Sequence, residues 1–131
     1  MNCKKAVVVD ENFIKALGEV SEIPMKKEVA YKYFRLMSNV HVVSRDVWKE
    51  RSDLLESLAV KRNDGTPKVK HGNLVFKDNN AAKAEVINLL SEDVEVDNEG
   101  LSAEDITQLG LPPKYLQSLA IVSQVLEKEG E

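Results

Sequence analysis

Arginine and aromatic side chains are the residues of this sequence best suited to binding chemistry. All four arginines and four of the seven aromatic residues fall between positions 31 and 62. Guanidinium groups bind phosphate through paired hydrogen bonds, and aromatic rings stack on nucleobases. The segment therefore predicts a site for an anionic ligand that carries a ring. The candidate residues are Tyr31, Tyr33, Arg35, Arg45, Trp48, Arg51 and Arg62.

The spacing of these residues suggests how they would be arranged. Tyr31 and Arg35 are four positions apart, so on a helix they share one face. Arg51 follows Trp48 by three positions, so its guanidinium group would lie near the indole ring. A structural alternative stays open, in which the aromatic rings belong to the core and the arginines form ion pairs with nearby acidic residues on the helix surface.

Other kinds of chemistry have little support. His41 and His71 lie far apart, and neither belongs to a ligand pair of short spacing. The sequence has no GxSxG, GxGxxG or GxxxxGK[ST] pattern. Cys3 is the one cysteine, and the lysines beside it could lower its pKa, but it has no histidine partner. We therefore expect a protein without catalytic residues, metal or cofactor.

Carboxylates alternate with apolar residues at positions 92–97, which is typical of an exposed strand. General acid–base catalysis needs carboxylates that converge in a shielded pocket. Side chains on one face of an exposed strand do not converge in this way, and their spacing also departs from that of a calcium-binding loop. We expect this run to be a solvated face.

Charge is unevenly distributed along the chain. The formal net charge is −4, but residues 26–77 have a net charge of +6 and residues 78–131 have a net charge of −9. One interpretation is that the two parts face each other, within one chain or between subunits. The other is that the basic part holds an anionic ligand while the acidic part repels polymeric nucleic acid, which we do not expect as a partner.

A long helix must position most of the candidate residues. No Gly or Pro occurs in residues 26–60, and apolar residues recur there at alternating steps of four and three. The helix would be about 50 Å long, too long for so small a domain to cover. We therefore expect it to pack on another long helix or on a second copy, giving a homo-oligomer. A break at residues 39–44 would give a helical hairpin instead, because β-branched residues there weaken helix propensity.

Shorter elements flank the long helix. Residues 6–9, an alanine followed by three β-branched valines, predict a strand, and Asp10 would cap a helix over 11–20. Residues 64–67 form a turn, and residues 69–76 a hairpin that turns at Gly72. A helix follows over 79–90, and the acidic strand at 93–97 could join the sheet of the hairpin.

The C-terminal part contains two further helices. Ser102 and Asp105 predict a capping box, and Gly110 would end the helix that they begin. The last helix would open at Pro112 and Pro113, with an apolar face formed by Tyr115, Leu116, Leu119, Val122 and Val125.

Together these elements predict an α+β fold, mainly helical, in a single domain over residues 1–131. A long central helix would carry a small antiparallel β-hairpin sheet and short C-terminal helices. No apolar run reaches the roughly 20 residues of a membrane helix, and residues 1–10 lack the features of a signal peptide. We therefore expect a cytoplasmic protein that does not contact a membrane.

Six short motifs follow one another along residues 13–122. They are Pro24 with the aromatic stretch 30–34, Arg51 to Leu55, the turn 64–67, Leu89-Leu90, the acidic run 92–97, and the Leu-Pro-Pro-x-Tyr-Leu segment 111–116. Their order resembles a family of small proteins of tailed bacteriophages for which no activity is established. The resemblance implies a phage origin and the cytoplasm of a host cell, and it implies no catalytic residue.

Small non-enzymatic phage proteins assemble virions and tails, or they evade host defence by sequestering cyclic nucleotide signals. By analogy, we expect a nucleotide-binding sponge that holds a small anionic ligand, a cyclic nucleotide, at an oligomer interface. The arginines named above would contact phosphate, and Tyr31, Tyr33 or Trp48 would stack on the base. The alternative is a virion or tail-assembly protein that acts through protein–protein contacts.

Overall fold

The computed structural model describes residues 1–109 and 113–127 of the chain. The fold is α+β and mainly helical, as the sequence predicts, with one long helix, several short ones and two antiparallel two-stranded sheets. In chain order the elements are β1 (Asn2–Lys4), α1 (Lys5–Val8), α2 (Glu11–Val20), α3 (Lys27–Leu58), β2 (Val69–Lys70), β3 (Asn73–Leu74), α4 (Asn79–Leu90), β4 (Asp93–Glu95), α5 (Ala103–Thr107), a 3-10 turn (Pro113–Tyr115) and α6 (Leu116–Glu127).

The long helix is continuous, which confirms the prediction of one helix rather than a hairpin. Its buried side chains recur at steps of three and four along one face: Tyr33, Leu36, Val40, Ser44 and Val47. The β-branched residues near the middle do not break the helix, because burial of this face outweighs their lower helix propensity. The helix ends at Leu58, where Ala59 takes an extended conformation.

Short elements of the same chain cover the buried face of α3. Helix α1 packs against α3, and α4 packs along the C-terminal half of α3. The hydroxyl of Tyr33 reaches the main chain of α2 at Leu17. The reasoning that this face requires a second long helix or a second copy was therefore wrong, because short elements of the same chain bury it. A homo-oligomer stays a prediction.

The N-terminal segment departs from the prediction. Residues 6–9 were expected to form a strand, but Lys5–Val8 is a helical turn and the strand lies earlier, at Asn2–Lys4. The main-chain N–H of Lys5 donates to the carbonyl of Glu92, and Val8 is fully buried. These tertiary contacts override the local β propensity of the three valines.

The acidic strand was also assigned the wrong partner. Strand β4 pairs antiparallel with β1, with Cys3 opposite Val94, and the β2–β3 hairpin forms a separate sheet. Val96 follows directly and is buried, and its N–H donates to the carbonyl of Met1 at 2.7 Å. Burial of this apolar residue in the core draws the strand to the N-terminus rather than to the exposed hairpin.

Three helix caps and the hairpin turn confirm the local predictions. The carboxylates of Asp10 and Asp78 each accept hydrogen bonds from two main-chain N–H groups of the helix that follows. Ser102 and Asp105 form a complete capping box. His71 and Gly72, between β2 and β3, have φ angles of 52° and 78°, and positive values at both positions are those of a type I′ turn.

The last helix agrees with the prediction in part. Leu119 and Val122 are buried as expected, but Leu126 joins them while Leu116 is exposed. Helix α6 packs against α2 and α5, so residues three and four positions apart from Leu119 face the core. The predicted helix end at Gly110 and helix start at Pro112 lie outside the described residues.

Candidate functional site

Tyr33 belongs to the core and not to a ligand site. It is 0% exposed, and its hydroxyl donates a hydrogen bond of 2.6 Å to the carbonyl oxygen of Leu17. Burial raises the pKa of Tyr33 above its ordinary value. A ring enclosed in this way cannot stack on a ligand, so its place among the stacking candidates was wrong.

Tyr31 and Arg35 do come together on the exposed surface, as their spacing predicts. The Arg35 guanidinium lies 5.6 Å from the centroid of the Tyr31 ring and donates to its hydroxyl at 3.1 Å. The Nε atom of Arg35 also lies 3.0 Å from a carboxylate oxygen of Glu99, and the hydrogen bond to Glu99 raises the pKa of Arg35. The charge of Arg35 is thus already paired within the chain.

The acidic segment after α4 runs antiparallel to α3 and finds its cations in the same chain. Near its start, Lys5 Nζ lies 2.8 Å from carboxylate oxygens of both Glu50 and Glu92. Near its end, the Asn39 side chain donates to the carbonyl of Asp97. Lys5 lies before the basic part, so among the ion pairs of the described residues only that of Arg35 with Glu99 joins the basic part to the acidic part. At this one contact the two parts face each other within one chain.

A groove between α3 and α4 is lined by two cations, Arg51 and Lys83, that have no ion pair within the described part of the chain. Its volume is about 380 Å³, within the range of small-molecule sites. Two cations, one amide, one aromatic ring and four aliphatic side chains line it: Arg51, Leu55, Phe76, Asn79, Ala82, Lys83, Val86 and Ile87. Among the described residues, no carboxylate forms an ion pair with Arg51 or Lys83.

Trp48 holds the guanidinium of Arg51 beside this groove. The Arg51 Cζ atom lies 5.3 Å from the centroid of the Trp48 ring, which confirms the prediction from their spacing. Trp48 itself is 46% exposed and lines a different groove, of about 360 Å³, together with His41, Ser44 and residues of α2. The indole therefore orients Arg51 by a cation–π contact but does not line the α3–α4 groove.

The remaining two arginines lie elsewhere. Arg45 is exposed on α3 and does not line the α3–α4 groove. Arg62 follows α3, is exposed, and its main-chain N–H donates to the carbonyl of Thr66. Of the seven candidate residues, only Arg51 lines the groove, and Trp48 supports it from the side.

Most of the other lining residues were missed because they come from a separate part of the chain. Leu55 lies on α3 beside Arg51, Phe76 precedes α4, and the other five lie on α4 itself. One signal in the sequence could have found them. Asn79, Lys83 and Ile87 are spaced by four, which places an amide, a cation and an apolar side chain in one row on a helix.

The pKa of the Cys3 thiol is raised in the structure, whereas the neighbouring lysines suggest that it would be lowered. Cys3 lies in β1 and is partly buried, and burial raises the pKa of its thiol, an effect to which Asp93 and Glu95 add. The thiolate form is therefore disfavoured at neutral pH. This differs from the expectation that Lys4 and Lys5 lower the pKa.

The part of the chain that the structure describes contains neither a metal-binding cluster nor a membrane-spanning helix. There, no three His, Cys, Asp or Glu side chains are grouped so that they could hold a metal ion. Within residues 1–109 and 113–127, no helix has both the length and the apolar character needed to span a bilayer.

Known protein families, curated proteins and solved structures offer no match to this chain. The resemblance to phage proteins stays a prediction. The α3–α4 groove is therefore the main guide to the ligand.

Proposed function

We propose that the protein binds, without converting it, a small anionic ligand that carries an apolar or aromatic ring, and that it does so in the α3–α4 groove. The observation behind the proposal is that one groove is lined by two cations, Arg51 and Lys83, together with the apolar side chains of Phe76 and Ile87. Neither cation forms an ion pair among the described residues. Cations without carboxylate partners on an apolar floor favour a ligand that brings its own negative charge.

The two parts of the groove would bind different parts of the ligand. Arg51 would donate paired hydrogen bonds to a phosphate, and Lys83 would add a second positive charge. Phe76 would offer an aromatic face to the ring, and the Asn79 amide would supply a donor and an acceptor to its edge. A nucleotide has all of these features.

Cyclic nucleotides are the first ligands to test. They combine phosphate with a base, and the analogy with small phage proteins that evade host defence makes host signalling nucleotides the expected target. On this proposal the protein is a phage accessory protein that sequesters such a signal. The ligand would lie within one chain, in the α3–α4 groove, rather than at the oligomer interface that we expected from the sequence.

The composition of the groove favours binding over turnover. Among the described residues, its lining contains no carboxylate, imidazole, thiol or hydroxyl group, and the ammonium of Lys83 is neither a base nor a nucleophile while it is protonated. A bound phosphate ester would be held by positive charge and shielded on its apolar side. We therefore expect the ligand to be released chemically unchanged.

Calorimetric titration with a panel of cyclic mono-, di- and trinucleotides tests the proposal. The variants Arg51→Gln and Lys83→Gln each remove one charge of the groove, and each should weaken binding about 10- to 100-fold, since a hydrogen bond to a charged group contributes about 1.5–3 kcal/mol. Chromatography of the recovered ligand should show no product.

Arg45→Gln is the matched control, because Arg45 lies on the same helix and is exposed but does not line the groove. Its affinity should stay within about twofold of the wild-type value, since surface substitutions without a ligand contact have small effects. Equal affinity in wild type, Arg51→Gln and Lys83→Gln would refute the groove as the site. No binding across the panel would refute the assignment to cyclic nucleotides.

A further inference from the structure

Helices α3 and α4 run antiparallel along the groove, which fixes the order of its lining residues. At one end, an antiparallel bridge pairs Ala59, just after α3, with Phe76, which precedes α4. At the other end, Lys5 Nζ lies 2.8 Å from carboxylate oxygens of both Glu50 on α3 and Glu92 after α4. The start of α4 therefore lies beside the end of α3, and the end of α4 lies on the side of Glu50.

The arginine and the amide of the groove are therefore at opposite ends of it. Arg51 follows Glu50 and lies at the end away from Phe76, whereas Asn79 is the first residue of α4 and lies at the Phe76 end. Along the axis of α3, about 12 Å separate Arg51 from Ala59, the residue that is bridged to Phe76. A ligand whose phosphate is bound by Arg51 would extend its ring towards Phe76 and Asn79.

The side-chain amide of Asn79 is available to such a ring. Asp78, and not Asn79, caps α4, because its carboxylate accepts from the main-chain N–H groups of Asn80 and Ala81. Asn79 is exposed, and among the described residues no hydrogen bond engages its side chain. The amide therefore offers a donor group and an acceptor, side by side, to the groove.

The side chains that line the groove supply many hydrogen-bond donors but few acceptors. The guanidinium of Arg51 and the ammonium of Lys83 are donors only, and apart from Asn79 the other lining side chains are apolar. Among the described lining residues, the amide oxygen of Asn79 is thus the one side-chain acceptor. A base with few donors of its own fits this lining best, because a buried donor without an acceptor costs free energy.

The hydrogen-bonding edge of adenine matches the Asn79 amide. We infer that the ligand is an adenine nucleotide and that Asn79 selects its base, an inference that rests on the proposed nucleotide site. Adenine carries one amino group beside ring nitrogens that accept, and an asparagine amide pairs with such an edge through two hydrogen bonds. Guanine carries a ring N–H beside its amino group. Two adjacent donors require a pair of acceptors such as a carboxylate, which the described lining does not contain.

Apolar contact favours a purine over the smaller pyrimidines. The apolar side chains of Leu55, Phe76, Ala82 and Val86 line the groove, and all four are buried or half-buried. A base of two rings covers more of this surface than a base of one ring, and the free energy of burial grows with the apolar area covered. Between the two purines, the supply of acceptors then selects adenine.

Calorimetric titration with matched ligands tests the inference: cyclic AMP against cyclic GMP and cyclic UMP, and cyclic di-AMP against cyclic di-GMP. The wild-type protein should bind the adenine ligand about 5- to 150-fold more tightly than its guanine counterpart, the discrimination that a paired amide contact gives against a wrong base. Asn79→Ala should lower this ratio at least about fivefold.

Asn79→Asp tests the same contact in the opposite direction. The substitution replaces the donor of the amide by a second acceptor, so the preference should reverse and favour the guanine ligand. The added negative charge would repel the phosphates of both ligands and therefore cancels in the ratio. Asn79 is exposed, so thermal unfolding of both variants should remain close to that of the wild type.

Asn80→Ala is the matched control, because Asn80 is the next residue of α4, is exposed and does not line the groove. Its ratio of adenine to guanine affinity should stay within about twofold of the wild-type ratio. Equal or tighter binding of the guanine or uracil ligand by the wild type, or a preference that Asn79→Ala leaves unchanged, would overturn the inference. The proposed groove would still stand in that case if Arg51→Gln and Lys83→Gln weakened binding. No binding of any nucleotide would overturn the proposed function and the inference together.

Discussion

Arg35 and Glu99 form an ion pair between α3 and the loop after β4, with 3.0 Å from Nε to the carboxylate oxygen. Glu99 has a φ angle of 57°, which is uncommon for a residue with a side chain. Its carboxylate also accepts from the Asn39 amide at 3.2 Å. These two contacts hold the loop against the long helix and occupy the charge of Arg35.

Arg35→Gln should therefore leave ligand affinity within about twofold of the wild-type value, because Glu99 already neutralises that charge. Calorimetric titration of the Arg35→Gln and Arg51→Gln proteins with the same ligand compares their affinities. The two substitutions are identical in chemistry and differ in whether the arginine has a carboxylate partner. A loss of affinity in Arg35→Gln equal to that in Arg51→Gln would show that the site includes Arg35.

Tyr33→Phe should destabilise the protein, because it removes a buried hydrogen bond to the Leu17 carbonyl. That carbonyl keeps a second donor, the N–H of Ser21, so the expected loss is about 1 kcal/mol, or about 3–5 °C in Tm. Thermal denaturation gives the value. Tyr31→Phe, in which an exposed hydroxyl is removed, is the control and should change Tm by less than about 1 °C.

Tyr33 should also make the protein sensitive to high pH. Its pKa is raised by burial in the folded state, so between the ordinary value near 10 and the higher folded value only the unfolded chain loses this proton. The stability contribution of the neutral hydroxyl is complete below about pH 10 and is lost as pH rises above it. Denaturant unfolding at pH 8, 10 and 11 should show this decline.

In Tyr33→Phe the decline of the free energy of unfolding above pH 10 should be shallower than in the wild type, since the titrating group is gone. Every other ionisable side chain is the same in the two proteins, so its contribution cancels in the comparison. Equal slopes in the two proteins would contradict the assignment of the alkaline decline to Tyr33.

Lys5→Met should cost more stability than Lys4→Met. Both ammonium groups lie 2.8 Å from a carboxylate, but the Lys5 side chain is 12% exposed and bridges Glu50 and Glu92. The Lys4 side chain is 58% exposed and, among the described residues, pairs with one carboxylate, that of Asp93. We expect a loss of about 1–2 kcal/mol for Lys5→Met and below about 0.5 kcal/mol for Lys4→Met. Denaturant unfolding at low salt measures both values. Equal losses would mean that the bridge adds nothing beyond a surface ion pair.

The Cys3 thiol should react slowly in the folded protein. Burial raises its pKa, so the thiolate fraction at pH 7–8 is smaller than in an unfolded chain. Its rate with a thiol-specific disulfide reagent should rise at least about 10-fold in denaturant and should increase with pH through and above 9. A folded-state rate equal to the denatured one would contradict the assigned burial.

The sequence predicts the elements whose signals are local. The stretch 26–60, which has no Gly or Pro, predicts α3. Asp10 and Asp78 predict the starts of two helices, and Gly72 predicts the hairpin turn. Each of these features depends on helix propensity, a cap or backbone geometry within a few residues. The pairing of Arg51 with Trp48 follows from helix spacing in the same way.

Features that depend on contacts distant in the chain could not be predicted. Residues 6–9 have β propensity but form a helical turn, because Val8 is buried and Glu92 binds the main chain at Lys5. The burial of Tyr33, by contrast, was open to prediction, because Tyr33 lies on the apolar stripe of α3 and Tyr31 does not. The groove brings Arg51 and Lys83 together through the α3–α4 packing, which no local pattern specifies.

Fluorescence titration of Trp48 is the most direct test of the proposed site. Trp48 is the one tryptophan, and the Arg51 guanidinium lies 5.3 Å from its ring centroid. A phosphate bound by Arg51 would change the charge beside the indole and therefore its emission. Excitation at the red edge of the indole band avoids absorption by the nucleotide base.

A cyclic nucleotide from the panel should shift or quench the emission in a saturable, stoichiometric manner. The response should be lost or weakened about 10-fold or more in Arg51→Gln and Lys83→Gln and kept in Arg45→Gln. Lys83→Gln is decisive, because Lys83 lines the groove but is not the cation that stacks on Trp48. Emission that is unaffected by every nucleotide, or a response that survives Lys83→Gln unchanged, would contradict ligand binding in the α3–α4 groove.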